Sequence, residues 1–382
     1  MTDTLTILDR LVSFETINAN PNAAMIDYIE TFCKDLGAQC DRIPSASDGK
    51  VGLVARLGPQ APGGIVLSGH CDVVPVTGQN WRRPSFQLTR EGDRLYGRGT
   101  TDMKGFLSCI LEAAQLASKQ DLTKPLTLVF SYDEEIGCVG IQEMKDALRP
   151  LLGDPRLCIV GEPTSMQIAI GHKGKAALRA KITGQSGHSA LAPHFVNAIH
   201  IATDFIAELR ALQDWYAQNG ARDAAYDVPF STLHVGKLHG GKALNIIPDA
   251  AEITFEYRHL FLDREDQLFE RILQSAAKIS ALYQDRFSQA DIQIERYNTY
   301  PGLEVDQGGD AVNFAQELAR TKGTTKVAFG TEAGVFTQMG IPAIVCGPGS
   351  MSGQGHKPDE FIELAQLQAC SAMLDRVVLA LQ

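Results

Sequence analysis

The spacing of apolar residues alternates along the chain between helical and strand-like periods, and this pattern predicts the fold. Apolar side chains recur at helical spacing in residues 4–12 and 23–37. Continuous apolar runs typical of buried strands then alternate with helical stretches, in the order strand 63–70, helix 105–119, strand 125–135, helix 141–152 and strand 156–163. Strands that alternate with helices indicate an α/β domain with a largely parallel sheet.

The pattern changes near residue 175, where strands of alternating polarity replace the continuous apolar runs. The order from there is strand 176–185, helix 195–217, strand 231–241, strand 251–260, helix 264–285 and strand 291–298. This order predicts a ferredoxin-like α+β unit, with one face of its sheet open or covered by something else. Because α/β character resumes after Pro301, we predict a discontinuous catalytic domain at 1–175 and 300–382, interrupted by an inserted domain at 176–299.

Composition narrows the function classes. The 382 residues are enough for two domains at roughly 100–200 residues each. The formal net charge is −10, and an acidic surface repels nucleic-acid phosphates and anionic lipids, so we expect neither as a partner. The sequence does not start with a basic segment followed by a long apolar one. It also has no apolar run that approaches roughly 18 residues and no CxxC pair. We therefore expect a cytoplasmic protein with reduced thiols.

Residues with the chemistry of metal ligands follow the predicted strands. They are His70 and Asp72 in SGHCDVVP, Asp102 in GRGTTDMKG, Glu134 and Glu135 in SYDEEIG, Glu162 in VGEPT and His356 in GPGSMSGQGHKPDE. Ligands of open α/β sheets bind at the carboxyl ends of strands. One histidine at such a position is usually a surface residue, and a lone Glu-Glu pair is usually solvated. Five such features at predicted strand ends are hard to obtain by accident.

Imidazoles and carboxylates that converge on one edge of a sheet favour a divalent metal such as zinc. A pair of ions needs one bridging carboxylate and separate ligands for each ion, and the residues available meet that need. Neighbouring side chains on a strand point to opposite faces. Unless the strand has already bent there, Glu134 and Glu135 can hardly bind the same ion, and we expect one of them to be a metal ligand and the other a general base.

The motifs SGHCDVVP, GRGTTDMKGF, DEEIG, GEPT, GQSGHSA and the terminal GH resemble those of a known family. It is the family of co-catalytic zinc metallopeptidases and deacylases, which includes carboxypeptidase G, aminoacylase, succinyl-diaminopimelate desuccinylase and acetylornithine deacetylase. The resemblance extends over essentially the whole chain, and segments such as NIIPDAAEITFEYRHL and FGTEAGVF are most similar to the acetylornithine deacetylase subgroup. It implies a zinc-peptidase catalytic domain with two zinc ions per subunit, replaceable by cobalt, and an inserted lid domain through which a homodimer forms.

Carried over residue by residue, the resemblance assigns a ligand set. His70 and Glu162 would bind one zinc ion, Glu135 and His356 would bind the other, and Asp102 would bridge the two.

The resemblance also assigns roles to residues that are not ligands. Asp72 would orient the His70 imidazole, and Glu134 would be the general base. His188, in the GHS motif, would reach the active site of the partner subunit and stabilise the oxyanion. A cis peptide bond is implied between Asp102 and Met103.

The expected reaction is hydrolysis of the N-acyl bond of a small-molecule N-acyl amino acid, with N2-acetyl-L-ornithine as substrate and arginine biosynthesis as the pathway. Arg258 is the candidate for the α-carboxylate because arginine binds carboxylates bidentately, and Asn245 would assist it. Glu332 is the candidate for the δ-ammonium group. The alternatives are an exposed sheet arginine and a glutamate favoured at a helix N-terminus.

Two other functions remain open from the sequence. A related deacylase or dipeptidase, such as a desuccinylase, would need a pocket for a second carboxylate. A non-catalytic amino-acid-binding relative would be marked by loss of the base or a ligand, but Glu134 and all five predicted ligands are present. The residues before His356 read SMSGQG, longer than the linker ending in Gln-Ala-His that is usual in related deacetylases, so loop 350–355 leaves acyl and amine specificity open.

Overall fold

A computed structural model describes residues 3–46 and 49–382 of the chain. In this part the α-helices are α1 (Thr4–Val12), α2 (Ala23–Asp35), α3 (Lys104–Ala117), α4 (Val139–Leu152), α5 (Ala198–Asn219), α6 (Glu265–Gln284), α7 (Asp310–Ala319), α8 (Ala333–Gln338) and α9 (Leu364–Leu379). The strands are β1 (Gln39–Pro44), β2 (Val51–Leu57), β3 (Ile65–His70), β4 (Thr89–Glu91), β5 (Arg94–Tyr96), β6 (Leu126–Ser131), β7 (Leu157–Pro163), β8 (Ile168–His172), β9 (Gly174–Thr183), β10 (Thr232–Gly240), β11 (Ala250–His259), β12 (Asp291–Tyr300), β13 (Leu303–Glu304), β14 (Thr324–Val327), β15 (Ala343–Gly347) and β16 (Phe361–Glu363).

The chain forms two compact units. The discontinuous unit comprises the described residues up to His172 together with Leu303–Gln382, and the inserted unit is Lys173–Gly302. The boundaries that the sequence pattern predicts lie after residue 175 and before residue 300.

The discontinuous unit is built on a mixed sheet with strand order β1-β2-β6-β3-β7-β15-β8-β13, with β14 beside β8. Its centre is parallel, because β3 pairs in parallel with β6 and β7, and β15 pairs in parallel with β7. Every residue of β3, β6 and β7 is buried, as expected for central strands that helices cover on both faces. The α/β fold with a largely parallel sheet is therefore confirmed.

The close packing of α3 on this sheet depends on a glycine in β7. A Cβ at Gly161 would lie 2.0 Å from a carbon of the Phe106 ring, so a side chain there would displace α3 from the strand that carries Glu162. The pattern did not predict β1, β2 or β8. The antiparallel hairpin of β1 and β2 begins at an edge strand with mostly exposed or half-buried residues, which leaves little apolar periodicity to detect.

The inserted unit has an antiparallel sheet of order β10-β11-β9-β12, joined in the chain order β9-α5-β10-β11-α6-β12. This is the ferredoxin-like arrangement, and the prediction is confirmed. Burial along β11 alternates residue by residue, and its buried residues join a core with α5 and α6. The opposite face carries charged pairs such as Arg179 with Glu252 and Glu295.

Candidate active site

The carboxyl ends of β3, β6 and β7 lie side by side, and most of the predicted ligands follow from this. His70 is the last residue of β3 and pairs in register with Ser131, the last residue of β6. The chain then turns at Asp133, which has a φ of 53°, so Glu134 and Glu135 lie on a bend after the strand and not within it. The predicted strand 125–135 is therefore too long at its end. A bent backbone frees the two glutamates from the opposite orientations of a regular strand.

The five predicted ligands form two groups that share one carboxylate. One group is His70, Asp102 and Glu162, and the other is Asp102, Glu135 and His356, with candidate ligand atoms within 4.8 Å of one another in each. His70 Nε2 lies 3.1 Å from Asp102 Oδ1, and His356 Nε2 lies 3.0 Å from Asp102 Oδ2. The two oxygens of Asp102 thus face different groups, as a bridging carboxylate requires.

The buried oxygens of this cluster fit a pair of divalent cations. Glu135 Oε1 and Glu162 Oε1 are buried and make no hydrogen bond in the described structure, which is costly for a carboxylate unless something else binds it. Imidazole nitrogen and carboxylate oxygen are ligands that zinc accepts. The ligand assignment itself remains a prediction from the resemblance.

Crowding of carboxylates governs the electrostatics of the site. Burial raises the pKa of Glu162 and Glu134 well above the usual range, and neighbouring carboxylates add to the effect. Burial, reinforced by Asp102, raises the pKa of Glu135 to about 7. Burial would also raise the pKa of Asp102, but hydrogen bonds from His356 and His70 hold it below its ordinary value. A bound cation would favour the ionised carboxylates that this site otherwise disfavours.

Asp72 contacts more of the site than the sequence indicated. The His70 Nδ1–H donates to the Asp72 main-chain carbonyl at 2.9 Å, whereas the Asp72 carboxylate lies 3.4 Å from Nδ1. That carboxylate accepts the backbone N–H of Glu134 on Oδ1 and of Glu135 on Oδ2, each at 3.1 Å. Asp72 therefore orients one imidazole and also holds the bend that carries both glutamates.

Cys138, which the sequence analysis did not single out, contacts the predicted base. Its Sγ–H donates to Glu134 Oε1 at 3.3 Å, and its backbone N–H donates to the Glu134 carbonyl at 2.8 Å. Burial raises the pKa of the Cys138 thiol well above its usual value, so the sulfur keeps the proton that it donates. The separation of four residues is the one sequence signal for this contact.

Glu332 lies under the site in a buried position. It is 1 % exposed and stands at the N-terminal cap of α8. Burial raises its pKa to about 7, opposed by Ser131 and by His70. Glu332 therefore occupies a helix N-terminus, as the alternative interpretation of this residue expects. The role of Glu332 toward a substrate ammonium group remains a prediction.

The inserted unit holds His188 and Asn245 together at one end of its sheet. The backbone N–H of Ser189 donates to the Asn245 carbonyl at 3.1 Å, and the strand-like bridge between His188 and Ile246 joins the two segments. His188 is exposed, and its Nδ1 accepts the backbone N–H of Ala190 at 3.1 Å. The proton of the neutral ring is therefore on Nε2, which is free to donate to another group.

Arg258 is at the opposite end of the same sheet. It pairs in register with Lys175 at the start of β9, whereas Ala250 pairs with Thr183 at the end that continues to His188. Arg258 follows Ala250 by eight residues, about 26 Å of extended strand. Asn245 precedes Ala250 by five residues and so lies toward the other end of this sheet from Arg258, and its assistance to Arg258 remains a prediction. The Arg258 Nε donates to Glu256 Oε1 at 3.0 Å, and Tyr300 is a further hydrogen-bond partner of the guanidinium.

Other expectations concern the thiols, the backbone and the membrane. All eight cysteines are free, and most are buried. The peptide bond between Asp102 and Met103 is cis, as the resemblance implies. In the described part of the chain, no helix combines the length and apolar character that a membrane crossing requires.

A parallel-sheet domain whose strand ends gather two histidine and carboxylate groups defines a metal-dependent hydrolase. The chain matches the model of Peptidase family M20/M25/M40 over residues 66–380, and it belongs to that family. It is similar to the acetylornithine deacetylase of Aliivibrio fischeri, with 32% identity over 357 residues, 94% of this chain and 91% of that protein. The resemblance that the motifs indicated is thereby confirmed.

Solved structures agree with the fold. An M20 family metallo-carboxypeptidase from Sulfolobus solfataricus superposes with a TM-score of 0.79 at 20% identity and covers 99% of each chain. A dinuclear metal-binding peptidase of the same family from Bacillus subtilis has a TM-score of 0.71 at 16% identity, covering 99% of this chain and 97% of that one. At these identities the likeness shows the fold alone.

Proposed function

We propose that this enzyme hydrolyses N2-acetyl-L-ornithine to L-ornithine and acetate, a step of arginine biosynthesis in the cytoplasm. The observation that carries the proposal is the pair of ligand groups joined at Asp102, in a chain that is similar along its length to an acetylornithine deacetylase. The free, mostly buried thiols agree with a reducing compartment.

In this proposal the two groups hold two zinc ions, which cobalt can replace. His70 and Glu162 would bind one ion, Glu135 and His356 the other, and Asp102 both. When bound, such a pair supplies a Lewis acid for the acyl carbonyl and lowers the pKa of water. The hydrogen bonds of His70 agree with its role as a ligand. Its Nδ1–H donates to a main-chain carbonyl, which leaves Nε2 as the nitrogen that faces the carboxylates.

Glu134 is the proposed general base. Its backbone is held by Asp72 and its carboxylate by the Cys138 thiol, so the side chain has a defined place beside the ligand groups without belonging to either. It would accept the proton of the attacking water and return it to the leaving amine. Burial raises the pKa of Glu134, which favours the protonated carboxyl group that the second of these transfers requires.

His188 is the proposed oxyanion donor, acting in the active site of a partner subunit. Its exposed ring with a free Nε2–H has the hydrogen-bonding state that an oxyanion requires. The separation of His188 from Arg258 within the inserted unit supports the action of His188 across a homodimer. If His188 and Arg258 serve the same small substrate, they must come from two copies, because one sheet holds them at opposite ends.

Arg258 is the proposed partner of the substrate α-carboxylate. Glu256 holds the Nε and Tyr300 is a further hydrogen-bond partner of the guanidinium, so the terminal N–H groups directed away from both would bind the carboxylate bidentately. Glu332 would contribute negative charge toward the substrate δ-ammonium from its buried position. We expect the first contact to determine that the product is an α-amino acid, and the second to contribute to the preference for ornithine.

A substrate panel tests the proposal. The zinc-loaded enzyme is assayed for release of free amine from N-acetylornithine, N-acetylcitrulline, N-acetylmethionine and N-succinyl-diaminopimelate, with the Glu134→Gln variant as the inactive control. We expect the highest kcat/KM on N-acetylornithine. A preference for N-succinyl-diaminopimelate would instead establish a desuccinylase, and no turnover of any compound by metal-loaded protein would favour a non-catalytic relative.

A further inference from the structure

A buried ion pair next to the ligand groups has no part in the chemistry described above. Arg98 and Glu360 are each 1 % exposed, and Arg98 Nη1 lies 2.5 Å from Glu360 Oε2. The second oxygen, Glu360 Oε1, accepts the backbone N–H of Thr101 at 3.0 Å and of Asp102 at 3.2 Å. One carboxylate thus holds the main chain of the residue that joins the two ligand groups.

The other side of the ion pair is connected to a second ligand. Arg98 Nη2 donates to Gln79 Oε1 at 2.6 Å, and Gln79 Nε2 donates to the main-chain carbonyl of His356 at 3.3 Å. The Arg98 guanidinium also lies over the Trp81 ring, 5.0 Å from its centroid. The continuous set Glu360–Arg98–Gln79 therefore contacts the backbone of Asp102 at one end and of His356 at the other.

Physical chemistry makes a purely stabilising role for this pair inefficient. Removing two charges from water is costly, and apolar residues of similar volume are often as stabilising as a buried ion pair or more so. What apolar residues cannot do is accept the two buried N–H groups of Thr101 and Asp102. A carboxylate can accept both at once, and Arg98 supplies the positive charge that allows it to be buried.

We propose that Glu360 and Arg98 are positioning residues that hold Asp102 and His356 in place for metal binding before the metal arrives. The Asp102 carboxylate contacts His70 and His356, which are themselves predicted ligands, so both contacts would have to change when a metal binds. Backbone hydrogen bonds to Glu360 do not depend on the ion. The inference rests on the metal site of the proposed function, but not on the choice of substrate.

Two variants separate positioning from stability. Glu360→Gln keeps an oxygen that can accept the two N–H groups but leaves Arg98 buried without its counterion. The double variant Glu360→Met with Arg98→Met removes both charges but leaves the N–H groups without an acceptor. We expect the Gln variant to be the less stable of the two and the better binder of metal. If the ion pair only stabilises the fold, the less stable of the two variants should also be the weaker binder of metal.

The experiment measures zinc affinity by chelator competition and unfolding of the metal-free protein in urea, without substrate. We expect zinc affinity within about threefold of wild type for Glu360→Gln and about 10–100-fold weaker for the double variant, the range seen when groups that orient metal ligands are lost. The absorption bands of the cobalt-loaded protein should shift in the double variant and not in Glu360→Gln. Wild-type zinc affinity in the folded double variant would overturn the proposal.

Two further measurements make the result unambiguous. Glu363→Gln removes a half-buried carboxylate, 3.8 Å from Arg94, and should change neither zinc affinity nor stability. Gln79→Leu, at a half-buried position, tests the connection to His356 even if a core variant does not fold. We expect it to weaken zinc binding at one of the two sites, and unchanged binding at both would refute that connection. Absence of zinc binding in the wild type would instead refute the metal centre of the proposed function.

Discussion

Asp72→Asn is the perturbation that most directly tests how the site is assembled. The wild-type carboxylate is buried and accepts the N–H groups of Glu134 and Glu135, each at 3.1 Å. The carboxamide has one oxygen and one NH₂ group, so one of these N–H groups faces a donor. The change is nearly isosteric and leaves the Asp72 main-chain carbonyl, the closer partner of His70, in place.

The magnitude follows from the lost acceptor. A buried backbone N–H without a partner costs about 1–3 kcal/mol, and charge-assisted bonds are at the upper part of this range. Part of that cost destabilises the fold, and part appears as displacement of Glu135 from its ligand group. We expect the free energy of unfolding of the metal-free protein to fall by about 1–3 kcal/mol. Zinc affinity should fall by about 10–100-fold, which corresponds to about 1.4–2.7 kcal/mol.

Urea unfolding of the metal-free protein and chelator competition for zinc measure the two effects separately. The matched control is Asp263→Asn in the inserted unit, where the carboxylate accepts the backbone N–H of Ala221 at 2.9 Å and the hydroxyl of Ser231. It should lower stability and leave zinc affinity unchanged. If Asp72→Asn binds zinc as tightly as wild type, the bend at Glu134 and Glu135 does not depend on Asp72 and the reasoning fails.

Four other predictions concern the assigned roles. Glu134→Gln should lower kcat by about 10²–10⁴-fold with two zinc ions retained, and loss of zinc along with activity, measured by metal analysis, would show that the residue is a ligand. Asp102→Ala should lose more zinc than His356→Ala, because the bridge serves both ions; equal retention contradicts bridging. Inactive His188→Ala subunits mixed with inactive Glu134→Gln subunits should recover some activity, since a heterodimer contains one intact site; no recovery after verified subunit exchange would mean that His188 acts within its own subunit or only structurally. Arg258→Lys should lower kcat/KM on an N-acetyl amino acid far more than on the corresponding amide, and an equal loss on both would remove Arg258 from the carboxylate site.

Local pattern determined the outline of this protein. The parallel centre of the sheet was predictable because fully buried strands are continuous apolar runs, and the inserted unit was predictable because half-buried strands alternate. His70 and Glu162 were recognisable as site residues because each lies at the end of such a run, and parallel strands bring their carboxyl ends to one edge of the sheet. The end of β6 was misjudged because no glycine or proline in SYDEE marks a turn, whereas the positive φ of Asp133 follows the end of the strand at Ser131.

The contacts that hold the site together were decided only by the tertiary structure. Asp72 accepts N–H groups 62 and 63 positions away, and Glu360 accepts those of residues 258 and 259 positions away. Such bonds join backbone groups, which are the same in every residue, so they have no signature in the sequence. Asn245 and Arg258 lie toward opposite ends of one sheet because the extended strand β11 runs between them, whereas its register with β9 places Arg258 beside Lys175. Residue chemistry and periodicity therefore identify the ligands and the fold, and only the three-dimensional pairing of strands and loops determines what positions them.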